Sequence, residues 1–378
     1  MKKMKKFLAM GITAAFLAAT LTACGSTSSS TTTTSDDSAD ETEAADEAVS
    51  DGESKGTVTL LSWGGTIETA FYEDGMAEKF KEETGYDFVL VSKSDSSAII
   101  SQALAQADNP EVDVVLCDAA SFMEGVNAGI FDDIAEEDVP NLENCIDQCY
   151  HGNYVYTYFT VSGLLYDIDD YEANGWDIPT SYEDMFADEL CGRVAFDHFP
   201  SSYSDAPMMI WSEAAGGSYD DMDAAFEKLA ELAPNVYEYI PSISTMAEWF
   251  ANDEISLASY CYDGVATAQN AGVNVGFVIP EEGTYLMPTA CGIMKDAPNS
   301  EGARALVNFL LSEGYLTLRY EKYNNLPSNQ LVELAEDSPV TWDVINAAKV
   351  FDYDAISEYR PGWVERFDSE IAEIPKAF

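Results

Sequence analysis

The chain has 378 residues, 47% of them hydrophobic, and sets 18 Lys+Arg against 68 Asp+Glu for a formal net charge of −50. That length and apolar share support two lobes of ordinary domain size, each with a core. A charge this negative excludes recognition of a phosphate backbone, so no nucleic acid partner is expected, and an anionic membrane surface repels the body.

Lys2, Lys3, Lys5 and Lys6 precede an uncharged, largely apolar run at 7–21. The run is short for a membrane span and fits the apolar region of a secretory signal. It ends in Leu21-Thr22-Ala23-Cys24, which resembles the lipobox of bacterial lipoproteins. The resemblance implies a signal peptide at 1–23, lipidation of Cys24, and an extracytoplasmic protein held to the cell membrane by a lipid anchor. Residues 24–56 are Ser/Thr-rich and then acidic, with nine acids from Asp36 to Glu53. Such a segment buries too little apolar surface to offset its ordering entropy, and like charges extend it. It is read as a disordered stalk.

From residue 57 apolar strand patterns at 58–63, 88–91 and 112–117 alternate with helical patterns at 66–84 and 98–107. The short crossovers predict a parallel βαβαβ unit, and the unbroken apolar run at 112–117 suits a strand covered on both faces. In open α/β sheets ligands sit beyond the carboxyl ends of strands. That rule nominates Trp63, Gly64, Gly65 and Thr66, with Asp118 and Ser121, as a rim. Farther along, strands are expected at 163–166, 192–196, 254–260 and 273–279, and helices at 181–186, 220–232, 264–271 and 304–311.

After Cys24 come Cys117, Cys145, Cys149, Cys191, Cys261 and Cys291. An even count in an exported protein permits disulfides, while apolar settings such as 114–117 equally suit buried free thiols, and both readings stand. Cys145 and Cys149 match neither a CxxC pair nor a common zinc spacing. His151 and His198 are the only histidines, and neither an HExxH nor a Gly-x-Ser-x-Gly sequence occurs. No metal, no cofactor and no catalytic residues are expected, and the chain is read as a non-enzyme.

Several segments together resemble a known family. They are Trp63-Gly64-Gly65-Thr66-Ile67-Glu68, Phe80-Lys81-Glu82-Glu83-Thr84-Gly85, Val112-Asp113-Val114-Val115 and Gly129-Ile130-Phe131-Asp132, followed by the stretches at 276–283 and 303–311. In this order, across 57–378, they are similar to type II solute-binding proteins of ABC importers, in the spermidine/putrescine-binding branch. The resemblance implies an α/β, two-lobe type II periplasmic-binding-protein fold with a ligand cleft between lobes joined by a hinge. Lobe 1 is placed at 57–160 plus 289–332, and lobe 2 at 161–288 plus 333–378. It further implies a monomer that captures a small-molecule solute and delivers it to an ABC permease and ATPase. A cell-surface sensor or adhesin on the same fold, or a secreted hydrolase, is the alternative.

Trp63 offers a ring to an apolar or cationic ligand, or is a core tryptophan. Glu68 and Asp118 are ligand contacts or groups serving helix starts. Asp197 falls where relatives carry acidic ligand contacts, or is a turn aspartate. Tyr260, Tyr262 and Asp263 end a strand near the position of a stacking aromatic in polyamine binders, which falls on Cys261. Where those binders place a Trp and an amine-gripping Asp, this chain has Met287 and Thr289, with Tyr285 as a substitute ring. The acids Glu68, Asp118, Asp197 and Asp263, with Arg193 as the only nearby base, favour an amine. Helix starts near Gly64 and Ala119 could hold an acid group, so a zwitterion satisfies both features.

Overall fold

The computed structural model describes residues 54–378. The signal peptide, Cys24 and the stalk up to residue 53 lie outside the described residues. Eleven strands are present among the described residues: β1 (Thr57–Trp63), β2 (Asp87–Lys93), β3 (Val114–Asp118), β4 (Val155–Asp167), β5 (Val194–Asp197), β6 (Val236–Ile240), β7 (Leu257–Cys261), β8 (Val275–Val278), β9 (Tyr285–Ile293), β10 (Leu326–Pro327) and β11 (Lys349–Val350). Their order is β2-β1-β3-β9-β4-β7-β5-β6, with β8 and β10 also paired to β4 and β11 to β9.

β1 runs parallel to both β2 and β3, so the βαβαβ unit forms as its spacing predicts. Helices Met76–Thr84 and Ser96–Ala105 make the crossovers. Gly85, at φ 83°, ends the first, and the Asp95 carboxylate accepts the Ala98 N–H to begin the second. The single helix expected at 66–84 is broken. A short turn, Thr66–Glu68, runs into a π-helical stretch, Thr69–Glu73, and the chain resets at Gly75, φ 79°. Behind this unit Phe71 stacks on Phe88 with ring centroids 3.8 Å apart, and Val58, Leu60, Val114 and Leu116 are fully buried.

β4 is far longer than the strand expected at 163–166. Its first half, residues 155–161, pairs with β9, and its second half pairs with β7 and β8. β9 in turn pairs with β3 over 289–293. These two strands therefore pass from one half of the molecule to the other, and the protein has two lobes hinged on them. Two features interrupt the ladder at the crossing. The β4–β9 register shifts between Tyr156 and Tyr158, and Pro288, opposite Phe159, has no N–H to give the ladder.

Helices Ser202–Ala214, Ile243–Ala251, Glu313–Tyr323 and Tyr353–Arg366 were not expected. The first is buried on nearly every side and carries Pro207, so it shows no amphipathic stripe, and the last carries Pro361 within it. The last helix is fastened to the second lobe by Arg360 on buried Asp205 and by Arg366 on Asp223.

Candidate functional site

A cleft of ≈ 930 Å³ opens where β4 and β9 cross. Its floor is Tyr158, Phe159 and Thr160 of β4, paired respectively with Thr289, Pro288 and Met287 of β9. Trp63 and Asp118, the last residues of β1 and β3, reach it from the first lobe together with Thr66. From the second lobe come Ser201, Ser202 and Tyr203 at the start of one helix and Asp263 at the start of another. Helix Glu313–Tyr323 adds Arg319, Lys322 and Tyr323, followed by Asn325, and Tyr353 closes one side.

Four of these side chains form a relay. Arg319 donates from Nε to Asn325 Oδ1 at 2.9 Å, from Nη1 to the Thr66 carbonyl at 3.1 Å and from Nη2 to Thr66 Oγ1 at 3.3 Å. Its guanidinium lies over the rings of Tyr158 and Tyr323, 4.8 and 4.5 Å from their centroids. Asn325 Nδ2 donates to Asp263 Oδ2 at 3.1 Å. The other oxygen of Asp263 is buried without a hydrogen-bond partner. Burial pushes the Asp263 carboxyl up to about 7, although Thr160, Arg319 and Asn325 all favour its ionised form. Lys322 is already paired with Asp74 at 2.6 Å.

Of the residues nominated from sequence, Trp63, Thr66, Asp118, Asp263, Met287 and Thr289 come together in this cleft. Gly64, Gly65 and Glu68 do not line it; they form the turn behind Trp63, where Gly65 takes φ 59°. Ser121 lies below the rim, its N–H donated to Asp118 Oδ1 at 3.0 Å, and it lines a neighbouring cavity of ≈ 340 Å³. Asp197 is 2% exposed at the end of β5, with one oxygen 3.4 Å from His198 Nδ1. Tyr260 is covered by Tyr203, ring centroids 5.0 Å apart, and it is Tyr203 that faces the cleft. Tyr262 packs on Phe277. Tyr285 is stacked on Phe351 at 4.4 Å and donates its hydroxyl to Glu213, so it supplies no cleft ring.

The charge reading from sequence needs two corrections. Arg193 is not beside the cleft: it is spent on Asp170 and Asp253 at the base of the second lobe. The base in the cleft is Arg319, together with Lys322. Neither helix start is free for an acid group. Asp118 occupies the terminus near Ala119 with its own carboxylate, and the turn after Gly65 is three residues long. Sequence reasoning also passed over Tyr158, Tyr203, Tyr323, Asn325 and Tyr353. The one available signal was a rare basic residue, Arg319, inside a tyrosine-rich helix.

The family model described as "Bacterial extracellular solute-binding protein" matches residues 75–348. The spermidine/putrescine-binding periplasmic protein 1 of Haemophilus influenzae is 24% identical over 355 residues, covering 89% of this chain and 91% of that one. Among solved structures, an ABC transporter protein from Clostridium perfringens superposes with a TM-score of 0.71 at 26% identity, covering 83% of this chain and 99% of the other. The spermidine/putrescine ABC transporter substrate-binding protein PotD of Streptococcus pneumoniae shares the fold, with a TM-score of 0.67 at 14% identity over 82% of this chain and 98% of that one. Two lobes on crossing strands, a cleft at the crossing and a family match over most of the chain converge: the protein belongs to the bacterial extracellular solute-binding protein family.

Proposed function

We propose that this chain is the solute receptor of an ABC importer, closing its lobes on a small amine-bearing organic solute, cationic or zwitterionic, and passing it to a membrane permease driven by an ATPase. One observation carries the choice of an amine. Asp263 presents a buried oxygen without a protein partner in a cleft walled by Trp63, Tyr203 and Tyr323. An ammonium group there gains a charge-assisted hydrogen bond and ring faces at once. Asp118, half-buried on the opposite lobe, adds a second carboxylate. The names of relatives that bind spermidine and putrescine support an amine as the group recognised.

On this reading the lobes are 57–160 plus 289–332 and 161–288 plus 333–378, and the protein works as a monomer. Cys24 carries the lipid that keeps it at the outer face of the cell membrane. Calorimetry and melting-temperature shifts against amines, amino acids and neutral sugars test the proposal. The expected result is stabilisation by an amine that disappears in Asp263→Asn. Tight binding of an uncharged sugar alone overturns it. Cys24→Ala is expected to bind solute normally and to leave the membrane fraction; loss of binding in that variant overturns the separation of anchor from receptor.

A further inference from the structure

All five arginines of the chain lie within the described residues. Four of them pair with carboxylates: Arg193 with Asp170, Arg304 with Asp138, Arg360 with Asp205, and Arg366 with Asp223 and Glu370. Arg319, at 2% exposure, has no ion pair among the described residues. This occurs in a protein with 68 acidic residues, where a carboxylate partner is the commonest thing to supply. Its hydrogen bonds go to neutral acceptors only, the Thr66 carbonyl and hydroxyl and the Asn325 amide oxygen. A guanidinium has five N–H donors. Four bonds are made, so one donor on Nη1 is left without a protein acceptor. A buried charge with no counter-charge is costly, and this one lies on the cleft wall.

No carboxylate touches it, and the neighbourhood compensates it only in part. The nearest carboxyl along the relay is Asp263, which is separated from Arg319 by Asn325 and is itself pushed up by burial. The other cleft cation, Lys322, is held by Asp74. On the cleft floor, Thr289 supplies a hydroxyl-bearing side chain rather than a carboxylate.

We infer that Arg319 receives an anionic group of the solute, a carboxylate or phosphonate, so that the solute is a zwitterion whose amine faces Asp263 and whose acid end faces Arg319. This rests on the amine-receptor reading above and narrows it. Arg319 selects amino acids or aminophosphonates over diamines, because a second ammonium beside a buried guanidinium meets like-charge repulsion in place of pairing. Its fixed fork suits such a group, and the two tyrosine rings and Thr66 hold it in place beforehand.

The experiment is calorimetric titration of the folded protein with solutes of matched length: γ-aminobutyrate and aminopropylphosphonate against putrescine, with α-amino acids and a neutral sugar alongside. At least one zwitterion is expected to bind about tenfold or more tightly than the diamine of equal length. Arg319→Met is expected to erase that preference, and Arg319→Lys to keep part of it. A diamine that binds the unaltered protein as tightly as every zwitterion overturns this inference and leaves the amine reading standing. Binding confined to the neutral sugar overturns both. An unchanged preference in Arg319→Met also overturns it. Should that variant not fold, the titration of the unaltered protein and of Arg319→Lys decides.

Discussion

Asn325 stands between Asp263 and Arg319, giving its Nδ2 hydrogen to the carboxylate at 3.1 Å while its Oδ1 accepts from the guanidinium at 2.9 Å. An amide in that place links the two side chains while keeping the carboxylate and the guanidinium out of direct contact. The carboxylate is left poised, its pKa raised by burial to about 7.

A pH dependence follows. An ammonium group binds the ionised form of Asp263, so affinity for an amine solute is expected to fall about tenfold per pH unit below 7, approaching 100-fold at pH 5. Titration across pH 5 to 8 checks this. The sign for stability is opposite to that of an ordinary salt-bridged acid. Because the folded pKa lies above the unfolded one, Asp263 contributes to the stability of the ligand-free protein at low pH, and that contribution is lost as pH rises through 7. Asp263→Asn is expected to melt higher than the unaltered protein at pH 8, by roughly 2–4 °C per kcal/mol relieved.

Tyr203 and Tyr260 separate affinity from stability. Tyr203 faces the cleft and Tyr260 lies beneath it. Tyr203→Ala is expected to weaken solute binding by about 1–2 kcal/mol. Tyr260→Leu removes buried ring area without touching the cleft, so it costs about 1–3 kcal/mol of folding stability and leaves affinity nearly unchanged. Calorimetry and thermal unfolding on both variants distinguish the roles.

Gly163, in β4, is pinned by its neighbours. A Cβ there falls 2.5 Å from the Val278 carbonyl oxygen and 2.5 Å from the Phe277 ring. The ring can yield but the strand backbone cannot. Gly163→Ala is expected to destabilise the protein by about 1–3 kcal/mol, read as a lower melting temperature with the solute preference intact.

The thiols differ in reach. Cys117, Cys149, Cys261 and Cys291 are buried, and burial pushes the thiols of Cys117, Cys261 and Cys291 upward. Cys145 is half-buried, and its thiol is lowered by a hydrogen bond with Cys149. Under non-denaturing conditions a thiol reagent is expected to modify Cys145 first, then Cys191, with the four buried residues following only on unfolding. Peptide mapping of the time course checks the order.

The βαβαβ unit was legible because its crossovers are short and its third strand is continuously apolar. The rim at Trp63 and Asp118 was legible because strand ends in such a sheet have a fixed position relative to ligands. Asp263 was legible for the same reason, at the end of β7. Arg319 was not. It reaches the cleft on a helix more than 250 residues along the chain from Thr66, which it contacts, and local periodicity carries no record of that fold-back. Tyr285 misled in the other direction. Alternation along β9 places it on the face of Met287 and Thr289, but not that Phe351 covers that stretch.

All six residues of the cleft floor belong to the two strands that cross between the lobes, and they are one another's cross-strand neighbours. A molecule resting on them therefore rests on the joint itself. Its width and shape set the angle at which the joint comes to rest, much as an object placed in a book sets how far the covers shut. A receptor built this way translates the dimensions of its cargo into the spacing of two distant outer surfaces, and a docking protein can read that spacing without ever touching the cargo.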